Sequence, residues 1–175
     1  MKINISKLDA SKRQLETAIH FLLRYGDPVS VHTLTAAARG ILEDLGKQQG
    51  VASIRNDVIS SVKPEYRKQV MKKANKTQNF FKHANTDPQS ILEFNPELTM
   101  LEIFDACRLY TKLTSEKVPI IQLFFLFFYA NHPQSLRLTE NEEVIYKRAI
   151  KGLNPTDRGA FLQLLPILEK SHYGK

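Results

Sequence analysis

Residues 118–130 read VPIIQLFFLFFYA, and every turn of this segment carries isoleucine, leucine or phenylalanine. The run has 13 residues, too few for a membrane span, which takes about 20 residues. A helix that is apolar on all sides belongs in a protein core or at an interface. We therefore expect a buried helix at the centre of the protein. The density of aromatic side chains would also suit the interface of a homodimer.

Helical spacing of apolar residues continues over almost the whole chain, and the alternation typical of strands does not persist. The chain has 175 residues, enough for one domain that buries roughly 70% of its unfolded surface. Its 42% hydrophobic and 25% charged residues are typical of a globular protein rather than a disordered one. We predict an all-α fold in which residues 1–175 form a single domain, a bundle of about seven helices around the central apolar helix.

Turn-forming and capping residues divide the chain into these helices. We predict helices at residues 6–25 (or 9–25), 28–46, 63–85, 99–113, 118–129, 139–151 and 155–171. Residues 51–61 form either a short helix or an extended loop, and residues 85–98 form the longest break. Two of the helices begin with the pattern of a capping box, Thr99 with Glu102 and Thr139 with Glu142. Pro166 should kink or split the last helix.

The predicted third helix, KPEYRKQVMKKANKTQNFFKHAN at residues 63–85, holds most of the excess charge. Residues 63–82 contain seven lysines and arginines against one acid, Glu65, so their formal charge is 7 − 1 = +6, while the whole chain has +7. On a helical wheel, the predicted buried face consists of Tyr66, Val70, Ala74, Thr77, Phe81 and Ala84. The opposite face forms a stripe of Lys68, Lys72, Lys76, Asn79 and His83.

A row of lysines at this spacing matches the phosphates of a nucleic-acid backbone and predicts salt-sensitive binding. Like charges four residues apart mildly destabilise a helix, which favours a functional interpretation. The alternative is an ordinary solvated helix face. We expect the stripe to be an anion-binding surface for RNA or for an acidic protein.

The first helix contains a second candidate anion site. Arg13, Thr17, His20 and Arg24 share the face opposite its apolar residues, and two arginines beside a histidine could grip an anion. Such a row is also common where a helix is exposed or pairs with a neighbouring helix.

The sequence gives little support for a metal site, a reactive cysteine or a cofactor. The five histidines are scattered, without the helical spacing of metal ligands, so we expect no metal site. Glu102 and Asp105 share one helix face, but Arg108 lies beside them, and ion pairs with it would explain both carboxylates without a metal. Cys107, the single cysteine, should be a buried structural thiol. No nucleotide-binding or hydrolase motif is present, so no cofactor is expected. One cysteine and a polar start without a signal-peptide pattern favour a cytoplasmic location.

Two segments, GDPVSVHTLTAAARGILEDLG at residues 26–46 and NFFKHANTDP at residues 79–88, resemble a family of uncharacterised bacterial helical proteins. LEFNPELT at residues 92–99 and FDACRLY at residues 104–110 extend the similarity, which would cover most of residues 8–130. The resemblance implies a helical cytosolic protein and assigns no catalytic residue.

A looser likeness is to the HEPN superfamily of helical nucleases and RNA- or nucleotide-binding proteins. Its motif is an arginine, usually followed by a polar residue, with a histidine within two helical turns. Here Gln78 occupies the arginine position before Asn79 and His83, while Arg13 and His20 also meet the spacing.

We expect a non-enzymatic binding protein that holds an anionic partner, RNA first, on the basic helix. The alternatives are an HEPN-like ribonuclease that uses His83 or the pair of Arg13 and His20, and a protein-interaction module with an acidic partner.

Overall fold

The computed structural model describes residues 2–85, 87–136 and 138–173, and of residue 173 only the backbone. These residues form helices and no strand, which confirms the predicted all-α fold. In chain order the α-helices are α1 (Lys7–Leu23), α2 (Pro28–Gln49), α3 (Ile54–Ser61), α4 (Pro64–Ala74), α5 (Lys76–Lys82), α6 (Glu97–Thr114), α7 (Pro119–Asn131), α8 (Glu140–Ala149), α9 (Arg158–Leu162) and α10 (Leu165–Tyr173). Two of the seven predicted segments are divided, and α3 occupies the region left open between helix and loop.

Helix α7 lies at the centre, as its apolar sequence predicts. Eight of its 13 residues are buried, and α1, α6, α9 and α10 contact it. Phe124 is fully buried, Phe128 is 1% exposed, and Phe125 is partly buried against the same core. Phe104 of α6 stacks on Phe128 with ring centroids 4.5 Å apart. The burial of this helix on most of its surface is therefore confirmed.

Helices α1 and α2 form a hairpin beside α7. Leu15, Ala18, Ile19 and Leu22 of α1 are buried, and Asp27 caps α2, whose Pro28 occupies the first turn. Helix α2 continues past its predicted end at residue 46. A Cβ atom on Gly46 would lie 2.4 Å from the carbonyl oxygen of Val51, so this glycine permits the returning chain to approach closely. The helix ends instead at Gln49, and Gly50, which has a positive φ of 69°, caps it.

The prediction of one continuous basic helix over residues 63–85 is wrong. Asn75 separates α4 from α5, and α5 ends before His83. The backbone N–H of Asn75 donates to the carbonyl of Met71 at 3.0 Å and also approaches the carbonyl of Lys73. The Asn75 side chain also accepts a hydrogen bond from Arg55 of α3. The interruption is therefore set partly by a contact from another helix.

The predicted buried face of this segment is also wrong in degree, because neither α4 nor α5 contains a buried residue. Tyr66 is 54% exposed, and Ala74 and Ala84 are exposed as well, while Val70 and Phe81 are only partly buried. We call residues 64–82 the basic segment. Every side chain of α4 and α5 is exposed or only partly buried.

The helix ends test the capping predictions. The box at Thr139 and Glu142 is formed at the start of α8, and Pro166 lies in the first turn of α10 after a break from α9. The predicted cap at Thr99 is wrong, since α6 already begins at Glu97. Thr99 is buried inside the helix, and its hydroxyl contacts His32 of α2. A tertiary contact thus uses the side chain that the local pattern assigned to a cap.

Candidate functional site

The stripe predicted from the sequence lies on the surface of the basic segment and its end. Lys68 and Lys72 belong to α4, Lys76 and Asn79 to α5, and His83 directly follows α5. All five side chains are exposed. Among the described residues, no carboxylate forms an ion pair with any of the three lysines. The stripe therefore presents positive charge that the described part of the protein does not neutralise.

Most of the stripe borders one concave surface, which we call the lysine groove. It has a volume of about 930 Å³ and lies between the basic segment and the chain that follows it. Its lining comprises Gln69, Lys72, Lys73, Lys76, Asn79, Phe80, His83, Asn85, Asp87, Ser90, Ile91 and Leu92. Lys68 lies outside this lining, whereas Lys73, which the wheel did not place on the stripe, belongs to it. The groove combines lysine charge with apolar surface.

His83 ends α5, and its backbone N–H donates to the carbonyl of Asn79 at 3.0 Å. Asp87 follows His83 by four residues in the chain. Both residues line the lysine groove, but within the described residues no hydrogen bond joins their side chains. The imidazole therefore has no partner there that orients it.

The second predicted site lies against other elements. Arg13 and Arg24 are exposed and His20 is partly buried. Burial lowers the pKa of His20, as does the charge of Arg24, while the nearby carboxylate of Glu169 in α10 opposes the shift. His20 thus lies on the side of α1 that is near Glu169 of α10, whereas the basic segment contacts α2 and α3. The structure gives Arg13 and His20 no place in the lining of the lysine groove.

A cluster that the sequence reasoning missed lies on the other side of the basic segment. His32 and Arg39 of α2 are 4% and 3% exposed. The Arg39 guanidinium lies 3.2 Å from the Glu102 carboxylate of α6 and donates to the amide oxygen of Gln78 at 3.2 Å. His32 Nδ1 lies 3.1 Å from the Thr99 hydroxyl and 3.8 Å from Glu102. Burial lowers the pKa of His32, with Glu102 opposing and Arg39 reinforcing the shift.

Arg55 and Asp105 extend this cluster. The Asp105 carboxylate accepts from the backbone N–H groups of Ile54 and Arg55 at 2.9 and 3.2 Å, and from Arg108 at 3.3 Å. The expected ion pair between Asp105 and Arg108 is therefore present. The Arg55 side chain instead donates to two neutral acceptors, the amide oxygen of Asn75 and the sulfur of Met71. Burial lowers the pKa of Arg55, and so does the neighbouring charge of Arg39.

These residues border a second concavity of about 530 Å³, which we call the arginine groove. Its lining comprises His32, Arg39, Ile54, Arg55, Lys73, Ala74, Thr77, Glu93, Phe94, Asn95, Leu98, Thr99, Leu101, Glu102, Phe104 and Asp105. Lys73 borders both grooves, so the basic segment is the wall between them.

One sequence signal could have indicated part of this cluster. His32 and Arg39 are seven residues apart, which places them on one helix face, and each directly follows an apolar residue, Val31 or Ala38. A histidine and an arginine at the edge of a buried face require polar partners. No local pattern identifies Glu102 as that partner, because it lies on a different helix.

Comparison with protein-family models, with curated proteins and with solved structures finds no match to this chain. The resemblance to a bacterial helical family and the likeness to the HEPN superfamily therefore stay predictions. The assignment of a function depends on the geometry of the two grooves.

The described residues lack two further features. Within residues 2–85, 87–136 and 138–173, no helix is both long and apolar enough to cross a membrane. The same residues contain no group of three or more histidine, cysteine, aspartate or glutamate side chains arranged to hold a metal ion. Cys107 is fully buried, and burial raises the pKa of its thiol. The thiol is therefore a structural part of the core, as expected.

Proposed function

We propose that the lysine groove binds single-stranded nucleic acid, with RNA as the first candidate, and that the protein acts as a binding protein rather than an enzyme. The observation that carries this proposal is the convergence of Lys72, Lys73 and Lys76 on one groove without carboxylate partners among the described residues. Lysines left unpaired in this way are available to phosphates, and counterion release favours their binding. His83 and Asn79 add hydrogen-bonding groups at the end of the same groove.

The apolar part of the groove favours a nucleic acid over an acidic protein. Phe80 is partly buried in the lining, and Ile91 is 97% exposed beside it. Single strands are held where cations follow the backbone and where aromatic or apolar surface contacts the bases. Lysines alone would serve an acidic protein equally well. The combination supports a strand whose bases reach Phe80 and Ile91.

Cleavage of RNA is the second candidate function, since a histidine and several lysines share the groove. An imidazole could move the proton while a cation stabilises the phosphate charge. A catalytic base normally has a partner that orients it, and the described residues provide none for His83. This observation supports binding without cleavage.

Binding is tested by fluorescence anisotropy with a labelled single-stranded RNA at several salt concentrations. We expect a plot of log affinity against log salt with a slope of about −2 to −3, since each of three phosphate contacts contributes roughly 0.7 to 0.9. The test variant replaces three lysines of the stripe by alanine: Lys68, Lys72 and Lys76. A control variant with the same change of charge replaces three exposed lysines elsewhere: Lys112, Lys117 and Lys151.

The stripe variant should lose affinity and flatten the slope, while the control variant keeps a slope close to that of the wild type. Equal losses in both variants would show that net charge, rather than the groove, attracts the RNA. Wild-type protein that ignores RNA and DNA at low salt but binds an acidic polypeptide would replace the proposal by the protein-interaction alternative. Cleavage by wild type that disappears in His83→Ala would overturn the non-enzymatic assignment.

A further inference from the structure

The arginine groove contains donors that are buried and lack partners. The Nε2 atom of His32 and the Nε atoms of Arg39 and Arg55 are buried, and no hydrogen bond reaches them within the described residues. Most buried polar atoms in native proteins have a partner, and a buried polar atom without one destabilises the fold. Together with Glu102 Oε2, which belongs to the same groove and accepts no hydrogen bond within the described residues, these three atoms leave this polar cluster incompletely paired.

The charges around the groove are equal in number, but they are not fully paired. Its lining contains three cations, Arg39, Arg55 and Lys73, and three carboxylates, Glu93, Glu102 and Asp105. Asp105 is occupied by two backbone N–H groups and Arg108, and Glu102 is paired with Arg39. Among the described residues Arg55 therefore has only neutral partners for its side chain, although it is partly buried. An oxyanion would give the Arg55 side chain a charged hydrogen-bond partner, since guanidinium groups bind phosphate and carboxylate strongly.

The rest of the groove is apolar and partly aromatic. Phe94 and Phe104 contribute to the lining, and the rim carries two strongly exposed leucines, Leu98 at 60% and Leu101 at 53%. Exposed leucines beside a concave surface often mark a binding site. The volume of about 530 Å³ lies within the range of about 300–1,000 Å³ that is typical of small-molecule sites.

We propose that the arginine groove is a second binding site, separate from the nucleic-acid surface, for a small phosphate ester with an aromatic body, of the class of a nucleoside monophosphate. The phosphate lies at Arg55, with Lys73 at the border of the groove and Arg39 behind it. The aromatic body lies against Phe94 and the two rim leucines. This site does not depend on RNA binding in the lysine groove, because Arg55 and Phe94 line only the arginine groove, although Lys73 borders both.

Isothermal titration calorimetry of the full chain tests the site, with adenosine monophosphate as the probe. Adenosine and inorganic phosphate serve as the two halves of that probe. We expect saturable binding of adenosine monophosphate, while adenosine and inorganic phosphate should each bind with a dissociation constant above about 1 mM. Arg55→Gln should lower the affinity for adenosine monophosphate about tenfold, because it removes one charge-assisted contact. Leu98→Ala should weaken the binding of adenosine monophosphate and leave that of inorganic phosphate unchanged.

Arg39→Gln is avoided, because breaking a buried ion pair can unfold the protein. Lys72→Gln is the matched control, since Lys72 lines only the lysine groove and carries the same charge. The proposal is overturned if wild-type protein shows no saturable heat with adenosine monophosphate at millimolar concentration. It is also overturned if Lys72→Gln loses the ligand while Arg55→Gln retains it, or if inorganic phosphate alone binds as tightly as the ester.

Discussion

Helix α7 and the basic segment are the two extremes of this molecule. Eight of the 13 residues of α7 are buried, whereas neither α4 nor α5 has a single buried residue. The difference shows how stability and binding are divided. Helix α7 holds the core together through apolar contacts, and the basic segment contributes charge and the walls of two grooves while burying little of its own surface.

The largest expected effect comes from truncating the same kind of side chain in each region. Leu123→Ala should lower the free energy of unfolding by about 2–5 kcal/mol, because Leu123 is fully buried in α7 and its removal leaves a cavity. Val70→Ala in α4 should cost less than about 1 kcal/mol, since Val70 is only partly buried and alanine favours the helix. Urea unfolding followed by circular dichroism measures both.

Equal costs for these two substitutions would contradict the division between core and basic segment. A large cost at Val70 alone would show that the basic segment is bound more tightly than its exposure indicates.

A change of pH should have a smaller effect on stability, and this effect too should come from residues outside the basic segment. Burial lowers the pKa of His32 below its ordinary value of 6.5, so the unfolded chain binds a proton that the folded chain does not. This contribution to stability is complete above pH 6.5 and is lost as the pH falls from 6.5 toward the folded pKa. His20 has the same direction of shift and adds to the loss.

Thermal unfolding of wild type should therefore show a midpoint that falls as the pH is lowered below 6.5. His32→Gln should reduce the slope of the unfolding midpoint against pH, whatever its effect on stability at neutral pH. His83→Gln in the exposed region is the control and should retain the slope. A wild-type slope that His32→Gln leaves unchanged would exclude His32 as its source.

The smallest expected effect lies at the cap of α8, which, like the basic segment, contains no buried residue. Thr139→Ala removes the hydroxyl that accepts from the backbone N–H of Glu142 and should cost about 0.5–2 kcal/mol. Thr139→Ser keeps the hydroxyl and should cost little. Urea unfolding of the pair measures the cap, and a loss as large as that of Leu123→Ala would show that α8 belongs to the core.

The predictions that succeeded rested on residues close together in the chain. The capping box at Thr139 depends on two residues of one helical turn, the break before α10 depends on Pro166, and the burial of α7 depends on its composition. The wheel of the basic segment identified the exposed lysines for the same reason. It failed on burial, since a helical wheel orders residues around an axis and contains no information on how closely neighbours approach.

The sequence by itself determined the helical fold, the central apolar helix and the position of the basic charge, because each depends on local spacing or composition. Only the tertiary structure decided that Glu102 pairs with Arg39, that Asp105 receives the start of α3, and that Arg55 reaches Asn75 at the break in the basic segment. The partners in these contacts are 20 to 63 residues apart in the chain, so no local pattern relates them. Helices brought side by side by the apolar core place them within hydrogen-bond distance.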